Sequence, residues 1–516
     1  MKTGTRFVLA AFSAIILTFS YPTFNLAFLA WFSFIPFFFA IENQNTKKRF
    51  ALGYFYGFLF FAAILYWLFR ISVPGTLVLV MLLALAPAIF STLLRPSVVN
   101  CSPGSLWRWL SIIFVPCAWI FTEYIRSHFL TGFPWALLGY SQSYNIPTIQ
   151  ISDITGPYGV SFLIVLVNFS IYKAIRCRAA RFYLLFFILM IYALNILYGE
   201  SRIKRPYPGS ALRVASVQGN IPQDEKYDPA FRNSIMREYL RLSKKALSEK
   251  PRLIVWPETS VPGYLAEEKD LEKALVSFVD ENNVNLVAGS LRYEEDAVFN
   301  SAMLLSPGEG IKKHYDKSHL VLFGEYMPLG RALGWVKNYI DKPIADFTRG
   351  SKFTVFDFRI AKKTAPGGGN ILRTTDFYKF SVLVCFEDIF PDHVRRFVKE
   401  GARFLVNITN DAWFGKTSAP YQHLEGSIFR AAENKVPLVR AANTGVSCII
   451  DHTGRVVKYA EVNREKIFVE GFCSGEIRPS FSRTFYTRFG DVFSWISIMF
   501  VMILYTISVI RERTWK

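Results

Sequence analysis

Tyr378-Lys-Phe-Ser-Val-Leu-Val-Cys385-Phe-Glu-Asp-Ile-Phe390 is the stretch from which the rest of the chain can be read. Phe380, Val382, Leu383 and Val384 carry the apolar run of a buried strand. The run stops at a cysteine, followed by Phe386-Glu387-Asp388 and a helical pattern from about Pro391. A thiol is therefore delivered at a strand end that faces a helix start. Unpaired N–H groups and the positive end of a helix dipole stabilise a thiolate, the form of sulfur that attacks carbonyl carbon. Free cysteine is also among the most buried residue types, so a small core side chain is the competing reading of Cys385.

The 516 residues are 52% hydrophobic and 19% charged, too apolar for one ordinary soluble protein and too charged for a pure membrane bundle. Apolar runs lie at about 7–22, 25–41, 50–69, 73–94, 107–125, 158–175, 182–199 and 492–510. Most approach the roughly 20 residues that cross about 30 Å of hydrocarbon. Eight transmembrane helices are expected, seven in a membrane domain over 1–200 and the eighth, with a tail, in 491–516. The first run has the basic start and apolar middle of a signal peptide, but no small-x-small site is clear near Ser20-Tyr21-Pro22, and it reads as a retained span. Alternating the loops places 14 Lys and Arg residues, from Lys2 to Lys516, on the side of both termini; the short loops opposite carry only Arg70 and Arg126. The positive-inside rule assigns the basic side to the cytoplasm and leaves about 200–490 outside.

The net charge of +19 brings no aromatic-basic RNA signature and no zinc-finger spacing, so nucleic acid is not an expected partner. Many of the cations are topological anchors, and a basic outer domain suits anionic head groups. The six cysteines form no CxxC pair, and three of them (385, 448, 473) fall in the outer segment, so at least one should be free or pair between chains. No feature points to a metal or organic cofactor.

The outward loop from Arg126 to Gly156 is rich in aromatic residues, Gly and Pro, as interfacial segments are, and Glu123 before it is an intramembrane or interfacial carboxylate. After the linker Ile203-Lys-Arg-Pro-Tyr-Pro-Gly209, strands are expected at 212–218, 253–256, 285–291, 302–305, 378–385, 403–408, 437–442 and 446–450, with helices at 229–248, 267–282 and 421–435. This is the pattern of a layered α/β domain, placed at 208–483. Asp341 to Gly369, with Ala365-Pro-Gly-Gly-Gly369, reads as a long mobile loop.

Three strand ends carry unusual polar groups: Glu258 in Leu253-Ile-Val-Trp-Pro-Glu258, Lys317 with Glu325 eight residues on, and Cys385 with Glu387 two residues on. Each alone reads as a solvated charge. Together they supply what acyl transfer needs: a thiol nucleophile, a carboxylate to accept and return its proton, and a fixed cation for the tetrahedral oxyanion. His319 and His423 lie near these segments and compete for the role of base, while a serine mechanism lacks a G-x-S-x-G.

Trp256-Pro-Glu258, Tyr315-Asp-Lys317 and Cys385-Phe-Glu387 resemble, in order and spacing, the Glu-Lys-Cys segments of the nitrilase superfamily. With the preceding spans, and with Val217-Gln-Gly-Asn-Ile-Pro-Gln223, Gly132-Phe-Pro-Trp135, Phe323-Gly-Glu-Tyr326, Asn407-Ile-Thr-Asn-Asp-Ala-Trp413 and Arg440-Ala-Ala-Asn-Thr-Gly445, the whole chain is similar to its membrane-embedded branch, the apolipoprotein N-acyltransferase family. The resemblance implies an αββα four-layer sandwich on a base of eight transmembrane helices in a bacterial inner membrane, with the sandwich on the periplasmic side. It implies Glu258 as general base, Lys317 as oxyanion stabiliser and Cys385 as nucleophile, with Glu325 and Glu387 positioning them and Trp413, Tyr227 and Phe386 at the substrates. The implied reaction moves an sn-1 acyl chain from a phospholipid donor, through a Cys385 thioester, to the α-amino group of a diacylglyceryl-cysteine apolipoprotein. Phe386 stands where tyrosine is frequent in that family, Leu322 replaces a frequent proline, and Tyr227 a usual tryptophan.

Two other readings compete. A membrane-anchored amidase could hydrolyse a small C–N substrate with the same triad, but has no use for eight spans. A transporter or scaffold predicts several paired charges inside the spans, where only Glu123 is found.

Overall fold

The computed structural model describes residues 1–95, 106–207, 209–322, 324–327, 346–364, 372–479, 481 and 483–514. Cys101, Phe323, Lys516 and residues 341–345 and 365–369 of the expected mobile loop lie outside them. Two compact units are present, Met1–Lys204 with Phe489–Lys516, and Arg205–Arg488.

The first unit is helical: α1 Thr3–Thr18, α2 Phe34–Ile41, α3 Thr46–Ile64, α4 Val73–Leu93, α5 Leu106–His128, α6 Pro157–Arg176, α7 Arg181–Ile203 and the C-terminal helix Val492–Thr514. Each expected apolar run falls on helical backbone, but the described residues hold five helices long and apolar enough to cross a membrane: Val73–Leu93, Trp109–His128, Pro157–Arg176, Arg178–Ile203 and Val492–Ile510. The second run breaks into a 3-10 turn, Ala27–Trp31, and the eight residues of α2. α1 has 16 residues, which at about 1.5 Å each is shorter than the hydrocarbon layer. α3 begins on Lys47-Lys48-Arg49, which lowers its mean hydropathy. Near the end of α5, buried Glu123 accepts the Leu138 N–H at 2.7 Å, and Arg126 donates to the carbonyls of Phe133 (2.8 Å) and Trp135 (2.6 Å). Both charges thus tie down the loop that follows α5, where backbone groups have no helix to pair with.

In the second unit twelve strands form two six-stranded sheets among the described residues. One sheet has the order β12-β1-β2-β3-β4-β5, from β1 Leu212–Gln218, β2 Leu253–Val255, β3 Asn285–Glu294, β4 Ala297–Ser306, β5 Gly310–Asp316 and β12 Gly471–Ile477. The other has the order β11-β10-β9-β8-β7-β6, from β6 Phe356–Thr364, β7 Leu372–Val384, β8 Phe404–Thr409, β9 Leu438–Ala442, β10 Cys448–Ile450 and β11 Val456–Tyr459. β1-β2-β3 and β7-β8-β9 are parallel, and all the remaining pairs are antiparallel. β2 and β8 are buried at every position, which is why they read as unbroken apolar runs rather than alternations. The sheets face each other: Ser216 Oγ on β1 donates to the Arg440 carbonyl on β9 at 2.7 Å.

Helices cover the outer faces. α8 Arg232–Ala246 buries Ile235, Met236, Tyr239, Leu242 and Ala246, and α9 Lys269–Asn282 buries Leu271, Leu275, Phe278 and Val279, against β1 to β4. α10 Pro391–Lys399 and α11 Ala419–Asn434 cover the other sheet, completing the four layers. The expected mobile loop is in part strand, because β6 pairs with β7 from Phe356↔Phe380 to Thr364↔Leu372. Cys385, Cys448 and Cys473 are all free thiols.

Trp256 pins the end of β2. It is fully buried, stacks on Tyr239 (5.1 Å between centroids, 27°) and donates from Nε1 to Ser243 Oγ at 2.7 Å. Trp256→Ala leaves a large void and an orphaned hydroxyl, and is expected to cost about 3–5 kcal/mol, read from denaturant unfolding followed by circular dichroism.

Candidate active site

Glu258 follows β2, Lys317 follows β5, Cys385 follows β7 and Thr409 ends β8. These strands run in one direction within each sheet, so their carboxyl ends share an edge, where open α/β sheets place their ligands. Two of the polar residues are delivered on strained backbone: Cys385 has φ +56° and Thr259, next to Glu258, has φ +42°, both left-handed without being glycine. Behind Glu258 the chain crosses β3 at Gly289, where a Cβ would come within 2.4 Å of the Pro257 carbonyl oxygen and 2.7 Å of the Glu258 Cα. Only glycine lets the turn lie that close.

The structure brings four of the sequence-expected residues into one buried cluster. Lys317 Nζ lies 2.8 Å from Glu325 Oε1 and 4.0 Å from Glu258 Oε1. Asn300 on β4 donates from Nδ2 to Glu258 at 2.7 Å and to Glu325 at 3.3 Å. Burial alone weakens the Lys317 ammonium; Glu325, Cys385 and Glu258 together outweigh that and hold it well above the usual lysine range. Burial, with Glu325, raises the Glu258 carboxyl, against the pull of Lys317, Lys226 and Asn300. Residues Cys385–Ile389 form a 3-10 turn, and burial first, then the Glu258 carboxylate, push the thiol well above its usual range despite Lys317. Burial thus favours the neutral thiol over the thiolate at Cys385. Thr409 Oγ1 donates to Cys385 Sγ at 3.5 Å.

Glu387 points away from the sulfur and into the scaffold. It accepts from Val384 N (2.8 Å), Tyr315 Oη (2.7 Å), Ser318 N (2.8 Å) and His319 N (3.0 Å), joining the Cys385 turn to the segment that carries Lys317. Phe386 packs on Phe414 (5.9 Å) and His423 (5.1 Å). Trp413 sits half-buried in the turn Ala412–Phe414, and Tyr227 is 54% exposed, with its hydroxyl side toward Thr259, Gln223 and Glu258. Neither histidine has Cys385 among its described partners. His423 is held between Asp388 and Asp411, at 2.9 Å from each, and their carboxylates outweigh burial and Arg440 to raise it. His319 packs at a tilt on Phe390 (3.8 Å between centroids, 37°), and burial takes it down to about 4. Arg440 reaches Asp388 (2.8 Å) and Asn407 (2.7 Å), and Asn407 Nδ2 donates to the Cys385 carbonyl at 3.0 Å, so this network underlies the Cys385 turn.

Sequence reasoning missed Asn300, Thr409, Gly289 and Lys226. Asn300 offered a signal, a polar residue entering an apolar strand. The other three acquire meaning only from contacts across the fold.

Burial alone would raise the Glu387 carboxyl, but His393, the Val384 N–H and the Tyr315 hydroxyl outweigh it and hold it down to about 2. An unfolded glutamate titrates near about 4.3. The folded value is the lower one, so this contribution is complete above about pH 4.3 and is lost as pH falls toward 2. The thermal midpoint of the chain is therefore expected to fall across that window. Glu387→Gln is expected to lose about 2–3 kcal/mol at pH 7 and to show a shallower fall on acidification, both read from thermal unfolding against pH.

Residues 13–170 match the family model described as apolipoprotein N-acyltransferase N-terminal domain, and residues 213–477 match carbon-nitrogen hydrolase. Among curated relatives, an apolipoprotein N-acyltransferase of Geobacter metallireducens is 38% identical over 95% of this chain and 93% of its own length. One of Rickettsia prowazekii is 30% identical over 95% and 96%. Among solved structures, an amidase from Nesterenkonia sp. is 18% identical over 53% of this chain and 93% of its own, with a TM-score of 0.36. The chain, matched along nearly its full length, belongs to the apolipoprotein N-acyltransferase family.

Proposed function

We propose that the protein transfers an acyl chain from the sn-1 position of a phospholipid to the N-terminal amino group of a diacylglyceryl-cysteine apolipoprotein, completing lipoprotein maturation. The observation that carries this reading is the pairing, in one chain matched at 38% identity over 95% of its length, of an apolar helical unit with a carbon-nitrogen-hydrolase unit. An enzyme of small soluble amides has no need of the first.

Cys385 is the proposed nucleophile, Glu258 its base and Lys317 the cation for the oxyanion. Glu258 takes the thiol proton as sulfur attacks the ester carbonyl. The C–O bond then breaks, the proton passes to the departing lysophospholipid oxygen, and a thioester remains. In the second half the amine attacks the thioester, Glu258 takes a proton from nitrogen and returns it to sulfur, and the amide leaves. This double displacement is ping-pong. Glu325 holds Lys317, Glu387 holds the turn, and Trp413, Tyr227 and Phe386 line the approach of the lipid chains. A thioester survives water better than it survives an amine, which suits transfer in a dry site.

We assign the eight apolar segments to eight spans of a bacterial inner membrane, with 208–483 as the catalytic domain on the periplasmic side and 491–516 returning the tail to the cytoplasm. The distribution of 14 basic residues against two supports this orientation. Both substrates are lipids of the outer leaflet, and a domain tied to the membrane at both ends meets them there.

The test is mass spectrometry of the full-length protein after incubation with phosphatidylethanolamine. An acyl adduct on Cys385, discharged by a diacylglyceryl peptide and abolished to background in Cys385→Ala, is the expected result. Ammonia released from simple amides, with no transfer to the peptide, overturns it in favour of a hydrolase.

A further inference from the structure

Lys226 lies in no motif and has no part in the reaction just described. It is 4% exposed, and its Nζ donates to the backbone carbonyl of Glu258 at 2.7 Å. An ammonium carries three N–H donors, and among the described residues that carbonyl is the one hydrogen-bond partner of this one. The same ammonium acts electrostatically on Glu258 and on Cys385. Burying an ammonium costs several kcal/mol unless its charge is answered. A tether for the segment before Tyr227 would need a single hydrogen bond and no charge, and that segment is already anchored, since Ile221 exchanges hydrogen bonds with the Asn443 side chain at 2.9 and 2.8 Å. The charge is therefore what has to be explained.

Charge balance at the cluster supplies the explanation. Glu258 is faced by Lys317, Glu325, Asn300, Lys226, Tyr227 and Cys385. Lys317 lies closer to Glu325, at 2.8 Å, than to Glu258, at 4.0 Å. Without Lys226 the cluster holds two carboxylates against one cation, and a buried net negative charge is relieved most cheaply by protonating Glu258, which removes the base. With Lys226 the sum is zero.

We propose that Lys226 is a positioning residue for the Glu258 base: it holds the backbone at that residue and supplies the second positive charge that keeps the carboxylate ionised. This inference rests on the proposed role of Glu258. Burial brings the Lys226 ammonium itself down to about 8, so its charge fades above that pH.

The test is the single-turnover rate of thioester formation on Cys385, measured on the full-length protein with phosphatidylethanolamine between about pH 5.5 and 9. In Lys226→Met the midpoint of the acid limb is expected to move up by about one pH unit, a rate about tenfold lower on that limb, and to converge on the native curve above pH 8. Lys226→Arg, which keeps the charge, should retain the native midpoint. If the methionine variant does not fold, Lys226→Gln against Lys226→Arg makes the same comparison. An unshifted midpoint in the neutral variant, or an equal loss at every pH, overturns the inference while leaving the Cys385 reading standing. A native chain that forms no thioester overturns both.

Discussion

One buried carboxylate fixes the distance between two sheets. Glu387 accepts hydrogen bonds from Val384 at the end of β7, from Tyr315 in β5 and from Ser318 and His319 after it. An ionised carboxylate away from water is tolerable only when its lone pairs are met, and these donors, with the Ser318 hydroxyl at 3.2 Å, meet them here. Because the donors come from both sheets, the satisfied arrangement exists at one separation. The Lys317 ammonium and the Cys385 sulfur are consequently placed by something outside the reaction, and the strain of a left-handed cysteine is held in place by the same bonds.

Below that clamp the site is a closed electrostatic sum. Glu258 and Glu325 are answered by Lys317 and Lys226, and the sulfur is left neutral. A thiolate resting there would leave one anion unbalanced, which burial disfavours. In the proposed reaction the proton is therefore handed to Glu258 only as sulfur bonds to carbon and the developing charge moves to the carbonyl oxygen, near the Lys317 cation. The Asp388, His423, Asp411 and Arg440 network keeps a second set of charges paired beneath the turn.

Cys385, Glu258 and Lys317 were legible because each is a polar residue set directly after a strand, an abrupt change that a local reading detects. The same local reading missed β5, β6, β11 and β12. β5 and β11 are half-exposed edges, with Lys312, Lys313 and His314 on one and Lys458 on the other, so their apolar alternation is diluted. β12 owes its place to β1, with Ser474 and Val214 some 260 positions apart yet hydrogen-bonded. β6 was hidden by the Gly and Pro residues that follow it. Lys226 and Thr409 carried no signal at all, since a lysine or threonine becomes part of a site only through neighbours that the fold supplies. The helical unit was legible as apolar runs, but their lengths were not. Where the 25–41 run breaks between Trp31 and Phe34 depends on packing that hydropathy does not record.

Residues 213–477 match carbon-nitrogen hydrolase, so fold alone does not decide between transfer and hydrolysis. The decision falls on which nucleophile reaches the thioester. A hydrolase must present an ordered water to the carbonyl carbon and accept its proton as the oxygen attacks. An amine needs less help, being the better nucleophile once neutral, and an amino group held by its own acyl chains arrives already oriented. Selectivity for transfer then follows from leaving the acceptor to the membrane and giving the protein only the task of keeping one carboxylate charged.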